Sequence, residues 1–561
     1  MTSHRLNERI VAMLTRLLAF SLVAVLLVAA AFAQSPAPQE LVPAAPKKMQ
    51  PAQEHLDLVY ADYGDRKMHL DLFLPAGEVK PRPAILVVHG GGWLNGNKEK
   101  FHPLAQALSA RGYITAAVEY RLGGEAKFPA AIHDCNTATR WLRSHAKKYH
   151  IDPERIGAVG GSAGGHLVGL MATARDVKQL RGAGFNHQSS ALQAAIVMAG
   201  PLELASGPVA EKSRNEPNKS NSNKWLGKTI DEAPELYKLA SATTHINRDT
   251  PPILFMVGEH DQPLRNLATR QRLRELGIAT GVRVYANGKH GCWNRQPWQS
   301  VMVDDMDVFF REHFKISDDA AFASREMPWG EMQLFPGRIE LTVNTKNATG
   351  PTVIPRFNNR VNVIHMKSDS DKRPLNLKPL VKEWSIAMPD ALPPIGGDVA
   401  GVLLVETKER PYLPVIPRII SATADHGVIL PAHEAMTHGE NLRYEPQPHK
   451  NTVGYWTNVE DWCSWRFHLD EAGRYDVQIL QGCGKGHGGS DVAVSVGEEK
   501  VTFTVEDTGH FQNFRSRKVG QMQLSAGVQT LAIKPINKAK AAVMDVREVR
   551  LIRIDESRAA E

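Results

Sequence analysis

Cysteine is scarce in this chain: four in 561 residues, at positions 135, 292, 463 and 483, with no two spaced as a metal-ligand pair. That spacing argues against a zinc site, and no metal is expected. An excess of one charge is missing too. Lys and Arg number 67 against 60 Asp and Glu, a net charge of +7 without any basic block. Nucleic acid is therefore not an expected partner. Beyond the run Leu17 to Phe32, no apolar stretch approaches spanning length. That first run follows Arg5, Arg9 and Arg16 and ends at Ala31-Phe32-Ala33, a small-x-small cleavage pattern. Residues 1–33 are expected to be a signal peptide cut after Ala33, with an uncleaved anchor as the alternative. The Pro- and Ala-rich stretch 34–55 reads as a disordered leader. The mature chain is then secreted or periplasmic, with no membrane partner. Export permits disulfides, and domain placement makes Cys135–Cys292 and Cys463–Cys483 the natural pairs.

The most informative stretch that is present is Gly160-Gly161-Ser162-Ala163-Gly164. A buried strand, Ile156 to Val159, runs into it and a helical pattern, Gly165 to Met171, follows. This is the strand–turn–helix context of a G-x-S-x-G nucleophile elbow. The small neighbours let strand and helix pass closely and lift the Ser162 hydroxyl above the helix N-terminus, where developing negative charge is favoured. Upstream, the apolar strand Leu86-Val87-Val88 enters His89-Gly90-Gly91-Gly92-Trp93, the pattern of an oxyanion loop. The expected donors are the N–H groups of Gly91 or Gly92 and of Ala163. Downstream, Pro252 to Val257 ends in Gly258-Glu259-His260-Asp261, and Val282 to Tyr285 is followed by Gly288-Lys289-His290-Gly291. The chain order is Ser162, Asp261, His290, with Glu259 and His260 as rivals for the acid and the base.

Strands are expected near 69–74, 84–88, 114–119, 156–159, 194–198, 253–257 and 282–285, and helices near 99–111, 129–148, 163–174, 264–276 and 297–313. Such alternation predicts a mostly parallel sheet with helices on both faces. His133 and Asp134 read as structural, and Glu203 as a loop carboxylate bordering the pocket at most. Residues 201–247 carry no readable pattern.

Residues 56–318 resemble an α/β-hydrolase esterase, particularly the secreted group containing acetyl xylan and feruloyl esterases. The resemblance is carried by Val87 to Trp93, Glu119-Tyr120-Arg121-Leu122, Phe128 to Asp134, Asp152-Pro153-Glu154-Arg155-Ile156 and Gly161 to His166. Hormone-sensitive-lipase-like esterases and arylformamidases share these motifs. The resemblance implies a Ser-His-Asp acyl-enzyme mechanism that needs no cofactor.

After about Asp318, helical periodicity gives way to short alternating runs separated by Pro, Gly and Asn, the signature of β-sandwiches. Residues 327–415 resemble the C-terminal β-domain of α-L-fucosidases, on Trp329-Gly330, Ile339 to Val343, Val353-Ile354-Pro355 and Val402 to Glu406. Residues 419–556 resemble galactose-binding-like carbohydrate-binding sandwiches, on Leu430 to Ala435, Gly454 to Asn458, Asp461 to Trp465, Ala472 to Val477 and Gly509 to Phe514. Trp456 and Trp462 are the candidates for stacking on sugar rings, the competing reading being core. The expected whole is an exported esterase acting on acylated polysaccharide or oligosaccharide. A small-molecule carboxylesterase, an arylformamidase-like hydrolase and an inactive carbohydrate-binding scaffold are the alternatives.

Overall fold

Apolar runs of five or six residues form the central strands, because a strand covered on both faces has no side left for polar residues. In the computed structural model, residues 53–77, 79–317, 323–344, 351–388, 399–414, 416–423 and 427–554 are described. The expected signal peptide, its cut after Ala33 and most of the leader lie outside the described residues. The strands are β1 (Gln53–Asp62), β2 (Lys67–Leu74), β3 (Arg82–Val88), β4 (Ile114–Val118), β5 (Ile151–Gly161), β6 (Ala194–Met198), β7 (Ile253–Gly258) and β8 (Thr280–Tyr285). They lie side by side in the order β1-β2-β4-β3-β5-β6-β7-β8. The pairs from β4 to β8 are parallel, and β1 and β2 join antiparallel. Helices Ala130–Ser144 and Ala163–Thr173 pack on each other, as do His102–Ser109 and Trp298–Phe314. This is the mostly parallel sheet that the alternation predicts, in the α/β-hydrolase arrangement that the motif resemblance implies.

Two features depart from the expectation. Gln53 to His55, placed in the leader by composition, belong to β1. That strand is an edge ribbon whose one fully buried side chain is Tyr60, so its sequence lacks a core-facing alternation. Residues 201–247 form three short α-helices, Gly207–Asn215, Asn221–Leu226 and Pro234–Ala240, and a 3-10 turn, Ala242–His245. Each is too short to show a helical period, and tertiary packing of Trp225, Leu226 and Tyr237 holds them.

Beyond the hydrolase sheet, one antiparallel sheet contains Ala323–Met327, Gly330–Phe335, Arg338–Asn344, Val399–Thr407 and Val361–Met366. A smaller one contains Thr352–Pro355, Glu383–Ile386 and Leu377–Pro379. The Trp329 indole N–H donates to the Val353 carbonyl at 2.8 Å and ties the two together. The last region is β-rich as well, with Trp465, Phe467, Ile479, Leu531 and Val549 buried between its sheets.

The hydrolase sheet does not end at β8. The strand Arg418–Ser421 pairs antiparallel with β8, placing Arg418 opposite Tyr285 and Ile419 opposite Val284. On its other edge it pairs parallel with Trp462–Leu469, a strand of the last β-rich region. One continuous sheet therefore runs from the hydrolase into the C-terminal module. The described residues fall in a single compact unit, Ala45–Glu561.

All four cysteines are buried free thiols, so neither expected pair is a disulfide. Cys463 and Cys483 sit on strands of different sheets, Trp462–Leu469 and Gly473–Cys483. Among the described residues, no helix is long and apolar enough to cross a membrane.

Candidate active site

β5 ends at Gly161, and the helix Ala163–Thr173 starts directly after Ser162. Between them Ser162 has φ 56° and ψ −119°, a strained conformation for a residue with a side chain. It persists because the backbone is fixed on both sides: Ser162 N–H donates to Met198 O at 2.7 Å and Ser162 O accepts from His166 N–H at 3.0 Å. The hydroxyl does not cap the helix. It lies 3.0 Å from His290 Nε2.

His290 stands in the loop after β8, and its Nδ1 is 2.6 Å from Asp261 Oδ2. An ionised carboxylate only accepts, so Nδ1 carries the proton and Nε2 is left to accept from the Ser162 hydroxyl. Asp261 follows β7 and is 6% exposed, whereas the His290 side chain is 49% exposed, so the base faces solvent while its partner does not. The second Asp261 oxygen accepts from Arg265 Nη2 at 3.0 Å. Arg265 also donates to the Ala199 carbonyl, so the acid is held from behind. Arg265 went unnoticed in the sequence, because it lies in the turn before the helix Leu267–Glu275, where no helical spacing pairs it with Asp261.

The rivals resolve on geometry. Glu259 points away from the imidazole: Oε2 accepts from Asn287 N–H at 2.8 Å, and Oε1 binds Arg466. His260 is exposed, and its backbone N–H donates to Gly288 O at 2.8 Å. Cys292, two residues beyond His290, is buried, and burial first and the Asp261 charge second push its thiol up to about 11. It stays protonated at neutral pH and is no nucleophile. Asp134 accepts from Arg121 and Tyr63, and His133 bonds Gln179 O. Glu203 accepts from Ala205 N–H and Ser241. These contacts are structural.

The glycine loop presses onto the elbow. A Cβ at Gly90 would come within 2.6 Å of Gly161 O and 3.1 Å of the Ser162 Cβ, so no side chain fits between loop and nucleophile. Gly91 and Gly92 have φ 137° and 62°. Among the described residues, neither amide donates to a protein acceptor. Ala163 N–H opens the helix, where the first amides have no intrahelical partner.

Two histidines brace this loop. His89 stacks on Tyr120 with centroids 4.3 Å apart, and its Nδ1 lies 2.9 Å from Gly90 O. His166, on the elbow helix, accepts at Nδ1 from the Trp93 indole at 3.1 Å and donates from Nε2 to Ala240 O at 2.8 Å. Trp225 stacks on Trp93 at 5.1 Å, and a Cβ at Gly92 would meet Asn221 Nδ2 at 2.4 Å. The segment 201–247 therefore buttresses the glycine loop, a role its sequence did not display.

Burial lowers both His89 and His166 to about 4. Because the folded values lie below the unfolded value, the unfolded chain binds more protons between about pH 6.5 and 4. Stability is full above that window and falls as pH drops through it, by up to about 1.4 kcal/mol per pH unit for each group. Calorimetry should show Tm falling from pH 6.5 to 4.5, and less steeply in His166→Gln, which keeps a donor and an acceptor without a charge. A pH-independent Tm would contradict this.

The two candidate sugar platforms need correction. Trp456 is fully buried, its indole N–H donating to Asp461 O at 2.9 Å. Trp462 stacks on His438 with centroids 3.7 Å apart and carries Lys534 Nζ 4.2 Å from its ring centroid. Apolar packing claimed the first indole and polar neighbours cover the second, so neither offers an open face. Among the described residues, no three His, Cys, Asp or Glu side chains gather as a metal site requires.

The BD-FAE family model matches residues 70–273, and the model of a domain of unknown function, DUF5077, matches residues 442–553. A probable carboxylic ester hydrolase, LipM, of Mycobacterium tuberculosis is 31% identical over 221 residues, 36% of this chain and 47% of that protein. Esterase LipQ of the same organism is 29% identical over 35% of this chain and 47% of its own length. The chain spans about half the length of the curated relatives it matches. A solved truncated form of a carbohydrate esterase from gut microbiota covers 48% of this chain and 99% of its own, at 24% identity and a TM-score of 0.42.

Proposed function

We propose that this chain is an exported serine carboxylesterase that removes acetyl or feruloyl groups from polysaccharide. The observation that carries the reaction type is the placement of His290 between the Ser162 hydroxyl and the Asp261 carboxylate, at 3.0 and 2.6 Å. In the proposed cycle, His290 Nε2 takes the Ser162 proton as Oγ attacks the ester carbonyl. The oxyanion that forms is held by Ala163 N–H and by Gly91 or Gly92 N–H. Asp261, clamped by Arg265, stabilises the imidazolium without taking its proton. His290 then protonates the departing sugar oxygen. Water, deprotonated by the same imidazole, releases the acid from the acyl-enzyme.

The curated esterase relatives support the ester-hydrolase reading, and the apolar run ending at Ala33 supports export. The substrate class rests on the motif resemblance and on the two β-rich regions that follow the hydrolase. With Trp456 and Trp462 covered, that class is proposed for the active site itself and not for a sugar platform on those indoles.

A substrate panel tests it. The enzyme is expected to release acetate from acetylated xylan or ferulate from feruloylated arabinoxylan, and to cleave p-nitrophenyl acetate. Activity confined to the p-nitrophenyl ester would favour a small-molecule carboxylesterase, and preference for an aryl formamide would favour an arylformamidase.

A further inference from the structure

The C-terminal module grips both loops that carry the charge relay. β8 leads into the His290 loop, and the strand Arg418–Ser421 covers its free edge, with Ser421 Oγ donating to Val282 O at 2.6 Å. Next to that strand, Trp462–Leu469 aims Arg466 at Glu259, two residues before Asp261. The Glu259 carboxylate joins three segments, because its other oxygen takes Asn287 N–H at the start of the His290 loop. Just past the same strand, Asp470 is 4% exposed and lies between two arginines of the helix Leu267–Glu275. Its oxygens accept from Arg270 at 2.6 Å and Arg274 at 2.9 Å. Gln271 on that helix donates to Glu471 at 3.0 Å. The loop bearing Asp261 is thus held at its start by Arg466 and, through the helix that follows it, by Asp470.

These contacts are buried or nearly so. Arg270 is 1% exposed, and Arg466 and Glu259 are 17% and 15% exposed, so solvent screens them little. An interface that served only to attach a module would not need to place its charges two residues from the catalytic acid. Nor would it need to continue the sheet strand that positions the catalytic base. A triad tolerates little drift: a misplacement near 1 Å costs up to about 100-fold in rate.

We propose that Arg466 and Asp470 are positioning residues for the Asp261–His290 pair, so that the C-terminal module completes the catalytic centre. This rests on the serine-esterase reading above. Neither residue touches substrate; both act through the loop that presents Asp261.

The test uses the full-length protein and p-nitrophenyl acetate. Arg466→Gln is expected to lower kcat about 10- to 100-fold with KM little changed. Arg466→Lys, which keeps the charge, should restore part of the loss. Glu259→Gln should match Arg466→Gln, and the double variant should be no worse than either single one, because both remove the same contact. Asp470→Asn leaves two arginines uncompensated and risks misfolding, so Arg466 carries the test. Full kcat in a folded Arg466→Gln protein would overturn the proposal. So would a loss that merely follows the unfolded fraction, or one that adds to that of Glu259→Gln. Ser162→Ala, assayed alongside, separates the two layers. If Ser162→Ala is inactive and Arg466→Gln is fully active, only the positioning role falls. If Ser162→Ala remains active, the Ser162–His290–Asp261 mechanism falls and the positioning role with it.

Discussion

Ser162→Ala is expected to abolish ester hydrolysis while the protein stays folded. The substitution removes one oxygen whose hydrogen-bond partner is His290 Nε2, at 3.0 Å. It leaves intact the backbone bonds to Met198 and His166 that hold the elbow. Alanine meets the same strain at φ 56° that serine does, so the turn gains no new cost. Loss of a triad nucleophile lowers kcat roughly a millionfold. The remaining rate should be near that of the uncatalysed ester, with an unchanged circular dichroism spectrum and Tm. Retention of several per cent of wild-type kcat in pure protein would remove Ser162 from the mechanism.

Asp261→Asn is the second large effect. The carboxylate fixes the proton on His290 Nδ1 and leaves Nε2 free to accept. An amide that turns its NH₂ toward Nδ1 reverses that preference, so Nε2 carries the proton and cannot take the one on Ser162. At another serine triad this change costs about four orders of magnitude in kcat, and the same scale is expected here. Arg265 adds to it, because its guanidinium loses the negative charge it now faces at 3.0 Å. Glu259→Gln, two residues away, should stay within about 100-fold, since it moves the acid without neutralising it. Should Glu259→Gln be the more damaging, the acid has been assigned to the wrong side chain.

The site was legible in the sequence where chemistry forces local pattern. A serine on a strained turn needs small neighbours, and amides aimed at an oxyanion need a loop without side chains. Gly160 to Gly164 and Gly90 to Gly92 therefore stand out by spacing alone. The strand before Asp261, Ile253–Gly258, is apolar on both faces, so it too announces itself. What stayed hidden depends on contacts between residues far apart in the chain. Trp93, His166 and Trp225 brace one another across more than a hundred residues, and no local period signals it. The helices of 201–247 are too short to show amphipathicity. β1 has little to bury. Trp456 looked available because a tryptophan among polar residues reads the same whether its ring faces out or packs inside. The sheet joint at Arg418–Ser421 was invisible because four residues with two buried or half-buried isoleucines resemble any short strand. Through that joint the last region, which resembles a carbohydrate-binding sandwich, is bonded to the strand that precedes His290.

The most direct measurement is covalent labelling of the intact protein with a fluorophosphonate, followed by mass spectrometry of the peptides. Such a probe phosphonylates a serine only when a base activates its hydroxyl and an oxyanion site receives the phosphonyl oxygen. The account predicts stoichiometric labelling on the peptide containing Ser162, loss of esterase activity in proportion, and no labelling in His290→Ala. Labelling of a different residue, or full activity in protein labelled at Ser162, would contradict it.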